Sequence, residues 1–173
     1  MAYSLWLAGF EVKDVHMTDL ISGREDLSEV QMIVFVGGFS NSDVLGSAKG
    51  WAGAFLYNPK AKQALDAFYA RPDTLSLGVC NGCQLMIELG LITPDHAEKP
   101  KMSHNTSHKF ESSFVNVTVP ENKSVMLGSL SGGVSGLTSF ASDTNVMMLS
   151  SLGASHVLGG SLLVQNASAA IGS

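Results

Sequence analysis

A chain of 173 residues, 45% apolar and 14% charged, is long enough to bury a single core of its own and has the composition of a soluble globular domain. Its formal net charge of -5, without any cluster of Lys or Arg, lacks the electrostatic footprint of a nucleic-acid binder. No signal peptide and no apolar run near the ~18 residues needed for a bilayer are present, and Cys80 and Cys83 are too few for a disulfide framework, so the expected location is the cytoplasm.

In chain order, Ala2 to Leu7 closed by Gly9 is predicted to be a helix end, and Phe10 to His16 a short strand. Met32 to Val36 is an almost wholly apolar run, suited to a strand buried on both faces of a parallel sheet. After Gly37 and Gly38 comes a polar loop. Two helices then follow, one presenting Trp51, Ala54 and Phe55, the next Ala64, Leu65 and Phe68 before Arg71-Pro72. Leu75 to Val79 is a second core strand, and Asn81 to Leu89 with Gly90 behind it is a helix, which puts Cys80 at the turn between them. From His104 to Val119 the pattern changes to period two and ends at Pro120, the mark of an antiparallel excursion. The expected class is α/β.

The segment 133–173 differs in kind. Of ten basic and fifteen acidic residues in the chain, only Asp143 lies there, among abundant Ser and Gly and apolar runs such as Leu162-Leu163-Val164. It has neither a sustained helical period nor the charge that keeps a disordered segment in solution. The expected division is therefore a domain over 1–132 and a low-charge tail over 133–173, the tail being either foreign to the domain, as after a reading-frame shift, or a divergent Ser/Gly-rich extension.

Gly78-Val79-Cys80-Asn81-Gly82 sets a cysteine between two glycines at a strand-to-helix turn, the geometry of a nucleophile elbow. The glycines leave room for a nucleophile raised above the sheet, and the helix that begins at Asn81 aims its N-terminal amides toward the sulfur, an arrangement that favours thiolates. Extended to Cys83-Gln84, the string is similar to the nucleophile motif of class I glutamine amidotransferases. Val36-Gly37-Gly38-Phe39-Ser40, Asp43-Val44-Leu45-Gly46 and Lys49-Gly50-Trp51-Ala52 resemble a loop of the long, multidomain phosphoribosylformylglycinamidine synthase family, and Asn105-Thr106-Ser107 with Phe110-Glu111 resembles that family's Asn-x-Ser-x-x-Phe-Glu signature. The resemblance covers about residues 1–132.

That resemblance implies a flavodoxin-like parallel-sheet domain that hydrolyses glutamine and passes ammonia to a synthetase domain acting on formylglycinamide ribonucleotide with ATP and Mg. It implies Cys80 as nucleophile, oxyanion donors at Gly38, Phe39 and Asn81, and a glutamine pocket lined by Gln84, Asn105 and Ser107. No cofactor, metal, nucleic acid or membrane is implied for this chain itself.

The family also carries an opening strand before its first helix and a His-x-Glu pair near its C-terminus. Neither is found, so the expectation is a domain truncated at both ends and of little activity alone. His156 has no Glu two residues on. His96-Ala97-Glu98 has the right letters but follows Cys80 too closely, in a surface loop, and His104 with His108 lacks a third metal ligand. Two other readings stay open: a redox protein built on Cys80-Asn81-Gly82-Cys83, and a non-catalytic fragment.

Overall fold

The computed structural model describes residues 1–38, 43–92, 94, 97, 99–103 and 108, together with the backbone of 111–118, 134–141 and 149–150. Its elements run α1 (Ala2–Leu7), α2 (Met17–Ser22), β1 (Met32–Phe35), α3 (Lys49–Leu56), α4 (Pro59–Ala70), β2 (Leu75–Gly78), α5 (Asn81–Glu88), β3 (Glu111–Thr118), β4 (Val134–Ala141) and β5 (Leu149–Ser150). β1 and β2 are parallel, with Met32 opposite Leu75 and Phe35 opposite Gly78, and the crossover between them carries α3 and α4. Strand, helices, parallel strand, helix is the order expected of an α/β domain.

The core forms where the helices close on this sheet. Phe35 at the end of β1 meets Trp51 and Phe55 of α3 edge-on, with ring centroids 6.2 and 6.3 Å apart, the geometry that ring quadrupoles favour. Ala61, Ala64, Leu65 and Phe68 give α4 one buried stripe, at the spacing that brings apolar residues to a single helix face. α5 is buried along nearly its whole length, and Cys83, Leu85, Met86 and Ile87 all join the same cluster.

The ends of the elements follow local chemistry. Asn58 caps α4 by accepting from the Ala61 N–H at 3.0 Å, with Pro59 as its first helical residue. Thr74 Oγ1, just before β2, lies 3.2 Å from both the Phe68 and the Arg71 carbonyl oxygens at the end of α4. The Arg71 guanidinium donates to the Leu27 and Ser28 carbonyls at 3.3 and 2.8 Å while standing 5.8 Å above the Phe68 ring, tying the loop before β1 to the end of α4.

Three expectations need correction. Phe10 to His16 is not a strand: among the described residues nothing pairs with it, and it is anchored instead by Val15 on the core and by an ion pair from Lys13 to Glu25. β1 is not buried on both faces: of its four residues only Phe35 is fully covered, and Met32, Ile33 and Val34 are half-buried. A helix over Met17–Ser22 was not foreseen; the Asp19 carboxylate accepts from the His16 N–H at 3.1 Å to start it, and Gly23 at φ 78° ends it.

The antiparallel excursion is found. β3 pairs with β4 over eight residues, from Glu111 opposite Ala141 to Thr118 opposite Val134, and β5 pairs antiparallel with β2. No helix among the described residues is long and apolar enough to cross a membrane.

Candidate functional site

Cys80 is the second of the two residues between the end of β2 and the first turn of α5, at φ 54° and ψ -113°. A side chain with a Cβ seldom takes positive φ, and such a backbone costs of order 1–3 kcal/mol that the surrounding structure must hold in place. Two sets of bonds do so. On the strand side the Val79 N–H donates to the Phe35 carbonyl at 3.0 Å. On the helix side the Gly82 N–H donates to Val79 at 2.9 Å, and the Cys83 and Gln84 N–H groups donate to the Cys80 carbonyl at 3.0 and 3.2 Å. The Asn81 N–H has no acceptor among the described residues, which leaves it a donor beside the sulfur-bearing residue.

The loop after β1 closes on this turn. A Cβ at Gly37 would come within 2.9 Å of the Cys80 Cβ and 3.2 Å of the Val79 carbonyl oxygen, so only a glycine lets the two segments approach this closely. Gly38 follows at φ 103°, exposed to solvent. The Gly37–Cys80 contact brings the loop after β1 beside the turn that carries Cys80 and Asn81. Phe39, Asn105 and Ser107 lie outside the described residues, as do His96, Glu98, His104 and His156.

Neither cysteine is in a disulfide, and their surroundings differ. Cys80 is half-buried, whereas Cys83 is fully enclosed in the hydrophobic core. Among the described residues no group of three His, Cys, Asp or Glu side chains converges to hold a metal ion.

One feature went unforeseen from the sequence, which gave Asn81 only a backbone part. Its side chain is 3% exposed and its Nδ2 donates to Gln84 Oε1 at 2.8 Å, with Gln84 2% exposed. Residues three apart on a helix share a face, so the pairing was available in the letters Asn-x-x-Gln. Burial of both amides was not.

Comparison with known proteins gives the family. The profile of the CobB/CobQ-like glutamine amidotransferase domain matches residues 1–144. A probable phosphoribosylformylglycinamidine synthase of Arabidopsis thaliana is 43% identical over 143 residues, covering 79% of this chain and 10% of the relative. A probable enzyme of the same name from Caenorhabditis elegans is 45% identical over 141 residues, covering 80% of this chain and 11% of the relative. The chain thus spans about a tenth of the length of the curated relatives it matches. The solved structure of PurLQS from Thermotoga maritima superposes with a TM-score of 0.42 at 22% identity, over 82% of this chain and 55% of that one. With the profile running through the elbow, the loop beside it and most of the sequence, the chain belongs to the CobB/CobQ-like glutamine amidotransferase domain family.

Proposed function

We propose that this chain is the glutamine-hydrolysing part of a phosphoribosylformylglycinamidine synthase and supplies ammonia for purine biosynthesis. The observation that carries it is Cys80 at positive φ between a parallel strand and a helix N-terminus, with Gly37 packed on it, in a chain of this family. The Cys80 thiolate attacks the side-chain carbonyl carbon of glutamine. The C–N bond breaks, ammonia leaves with a proton, and a glutamyl thioester remains, which water hydrolyses to glutamate and the free thiol.

The negative oxygen formed at each addition step sits against the Asn81 N–H and the N–H groups of the Gly38-Phe39 loop, donors held in place before charge develops. Gln84, Asn105 and Ser107 line the glutamine pocket. The ammonia goes to a synthetase domain, where formylglycinamide ribonucleotide and ATP with Mg are bound; the relatives carry that name, and this chain holds neither nucleotide nor metal in the scheme. The assigned compartment is the cytoplasm, where two cysteines outside any disulfide persist in the reduced form.

A thiol nucleophile also needs an imidazole to take its proton and return it to the leaving amine. None of the five histidines is assigned that part, and lack of a positioned base typically costs roughly 10²- to 10⁴-fold. The test is covalent labelling by an electrophilic analogue of glutamine, followed by peptide mass mapping. Labelling that saturates, is blocked by glutamine and falls on Cys80 supports the reading. Non-saturable labelling, or labelling of Cys83, overturns it.

A further inference from the structure

We infer that Val44 and Leu45 form an apolar docking tip on which the ammonia-consuming synthetase part of the enzyme seats beside Cys80. The inference rests on the glutaminase reading and names the partner surface of that site. Val44 and Leu45 are 80% and 66% exposed, two large apolar side chains next to each other in the loop between β1 and α3. That loop is pinned on both sides at the edge of the sheet that carries Cys80. Gly37 packs against the Cys80 Cβ, and Trp51, in the first turn of α3, meets Phe35, whose carbonyl accepts from the Val79 N–H.

The tip is held out by a fixed turn. Asp43, Gly46, Ser47 and Ala48 have φ of 42°, 69°, 50° and 57°, a conformation that the three with a Cβ seldom adopt. Asp43 closes the turn from within: its Oδ1 accepts from the Ala48 N–H at 2.9 Å and its carbonyl from the Gly46 N–H at 2.9 Å. Ser47 and Ala48 are buried and anchor the base, while Val44 and Leu45 stay outside. One exposed apolar residue is ordinary, but an adjacent pair presented by strained backbone beside a nucleophile fits a contact completed by another surface. Chemistry and length name that surface. Ammonia released at Cys80 escapes to solvent unless the consuming part closes over the same edge, and apolar contacts around such a junction exclude water. The shared stretch is only about a tenth of the curated relatives, which leaves most of such an enzyme to supply the covering part.

The test measures binding of the 173-residue chain to the Caenorhabditis elegans relative from which the matching stretch has been removed, a probe shown to be folded by its turnover with ammonium chloride. Val44→Asp and Leu45→Asp are each expected to weaken binding about tenfold or more, as loss of an interface anchor does. Labelling of Cys80 by the electrophilic glutamine analogue, measured on the chain alone, should keep its half-saturation concentration and maximal rate. Val44→Ser and Leu45→Ser stand in if an Asp variant does not fold. Tyr57→Asp puts the same charge on an 87% exposed side chain at the other end of α3 and should bind as the parent chain does. Saturable labelling of the parent chain without binding to the active probe, unchanged binding in both tip variants, or equal weakening by Tyr57→Asp would overturn the inference alone. So would tip variants that raise the half-saturation concentration on the isolated chain, since the tip would then touch glutamine. Labelling of the parent chain that never saturates would overturn the glutaminase reading and the inference with it.

Discussion

Gly82, in the first turn of α5, lies flat on the backbone of Phe35 at the end of β1: a Cβ there would overlap the Phe35 carbonyl oxygen and come within 2.8 Å of the Phe35 Cβ. The same Phe35 carbonyl accepts from the Val79 N–H, so β1, the elbow and α5 are locked together at one peptide group. The height at which Cys80 stands above the sheet is set by this contact.

Gly82→Ala is therefore expected to destabilise the chain by about 3 kcal/mol or more, the upper end for overpacking, because the obstacle is backbone and cannot turn aside. Urea denaturation followed by far-UV circular dichroism measures it. A midpoint equal to that of the parent chain would show that α5 can lift off Phe35 at little cost.

Cys80→Gly should act in the opposite direction on stability. Glycine accepts φ 54° without strain, which removes part of the ~1–3 kcal/mol held at this residue, and the extra freedom of glycine in the unfolded chain takes back roughly 0.5–1 kcal/mol. The expected net gain is about 1 kcal/mol, seen as a higher urea midpoint, together with complete loss of labelling by the glutamine analogue. A lower midpoint would mean that packing of the half-buried thiol outweighs the strain.

How much of this could be read in the letters depended on how far each signal reached along the chain. β1, β2, α4 and α5 were legible because apolar runs of strand length and a helical stripe such as Ala64, Leu65 and Phe68 are set by neighbours in sequence. Cys80 was legible because an elbow needs its glycines and its cysteine within five consecutive residues. α2 was missed because six residues give one buried side chain, Leu20, and no period to detect, while its His16 and Asp19 start is an uncommon variant of a capping pair. The segment from Phe10 to His16 was misread because a strand is defined by its partner, and alternation alone does not supply one. The contacts of Gly37 with Cys80 and Gly82 with Phe35 join residues more than forty apart, which no local pattern reports.

The Asn58 cap gives a smaller and more local prediction. Its side chain is the acceptor for the Ala61 N–H at the start of the helix that packs on α2 and α3. Asn58→Ala should cost about 1 kcal/mol, and Asn58→Asp, which keeps an acceptor, should recover most of it. Equal midpoints for the Ala and Asp variants would remove the cap as the cause.

Arg71 joins stability to pH. Its guanidinium gives hydrogen bonds to two carbonyls of the loop before β1, lies over Phe68 and also pairs with Asp73 at 3.2 Å. Arg71→Ala should cost about 2 kcal/mol, mostly from the carbonyl bonds and the ring contact, since the carboxylate partner is exposed and screened. The Arg71 hydrogen bond holds the Asp73 carboxyl below its ordinary value of 3.8, and the Ser28 N–H and hydroxyl do the same for Asp26. Both pKa values are lower in the folded chain than in the unfolded one, so the stabilisation they contribute is present above pH 3.8 and is lost as pH falls through the folded values beneath it. The loss is small for groups so exposed, and NMR titration of the carboxyl carbons resolves it better than a melting curve. In Arg71→Ala the Asp73 carboxyl should return toward its ordinary value while Asp26 stays depressed; movement of both together would show that the substitution unfolds the loop rather than removing one partner.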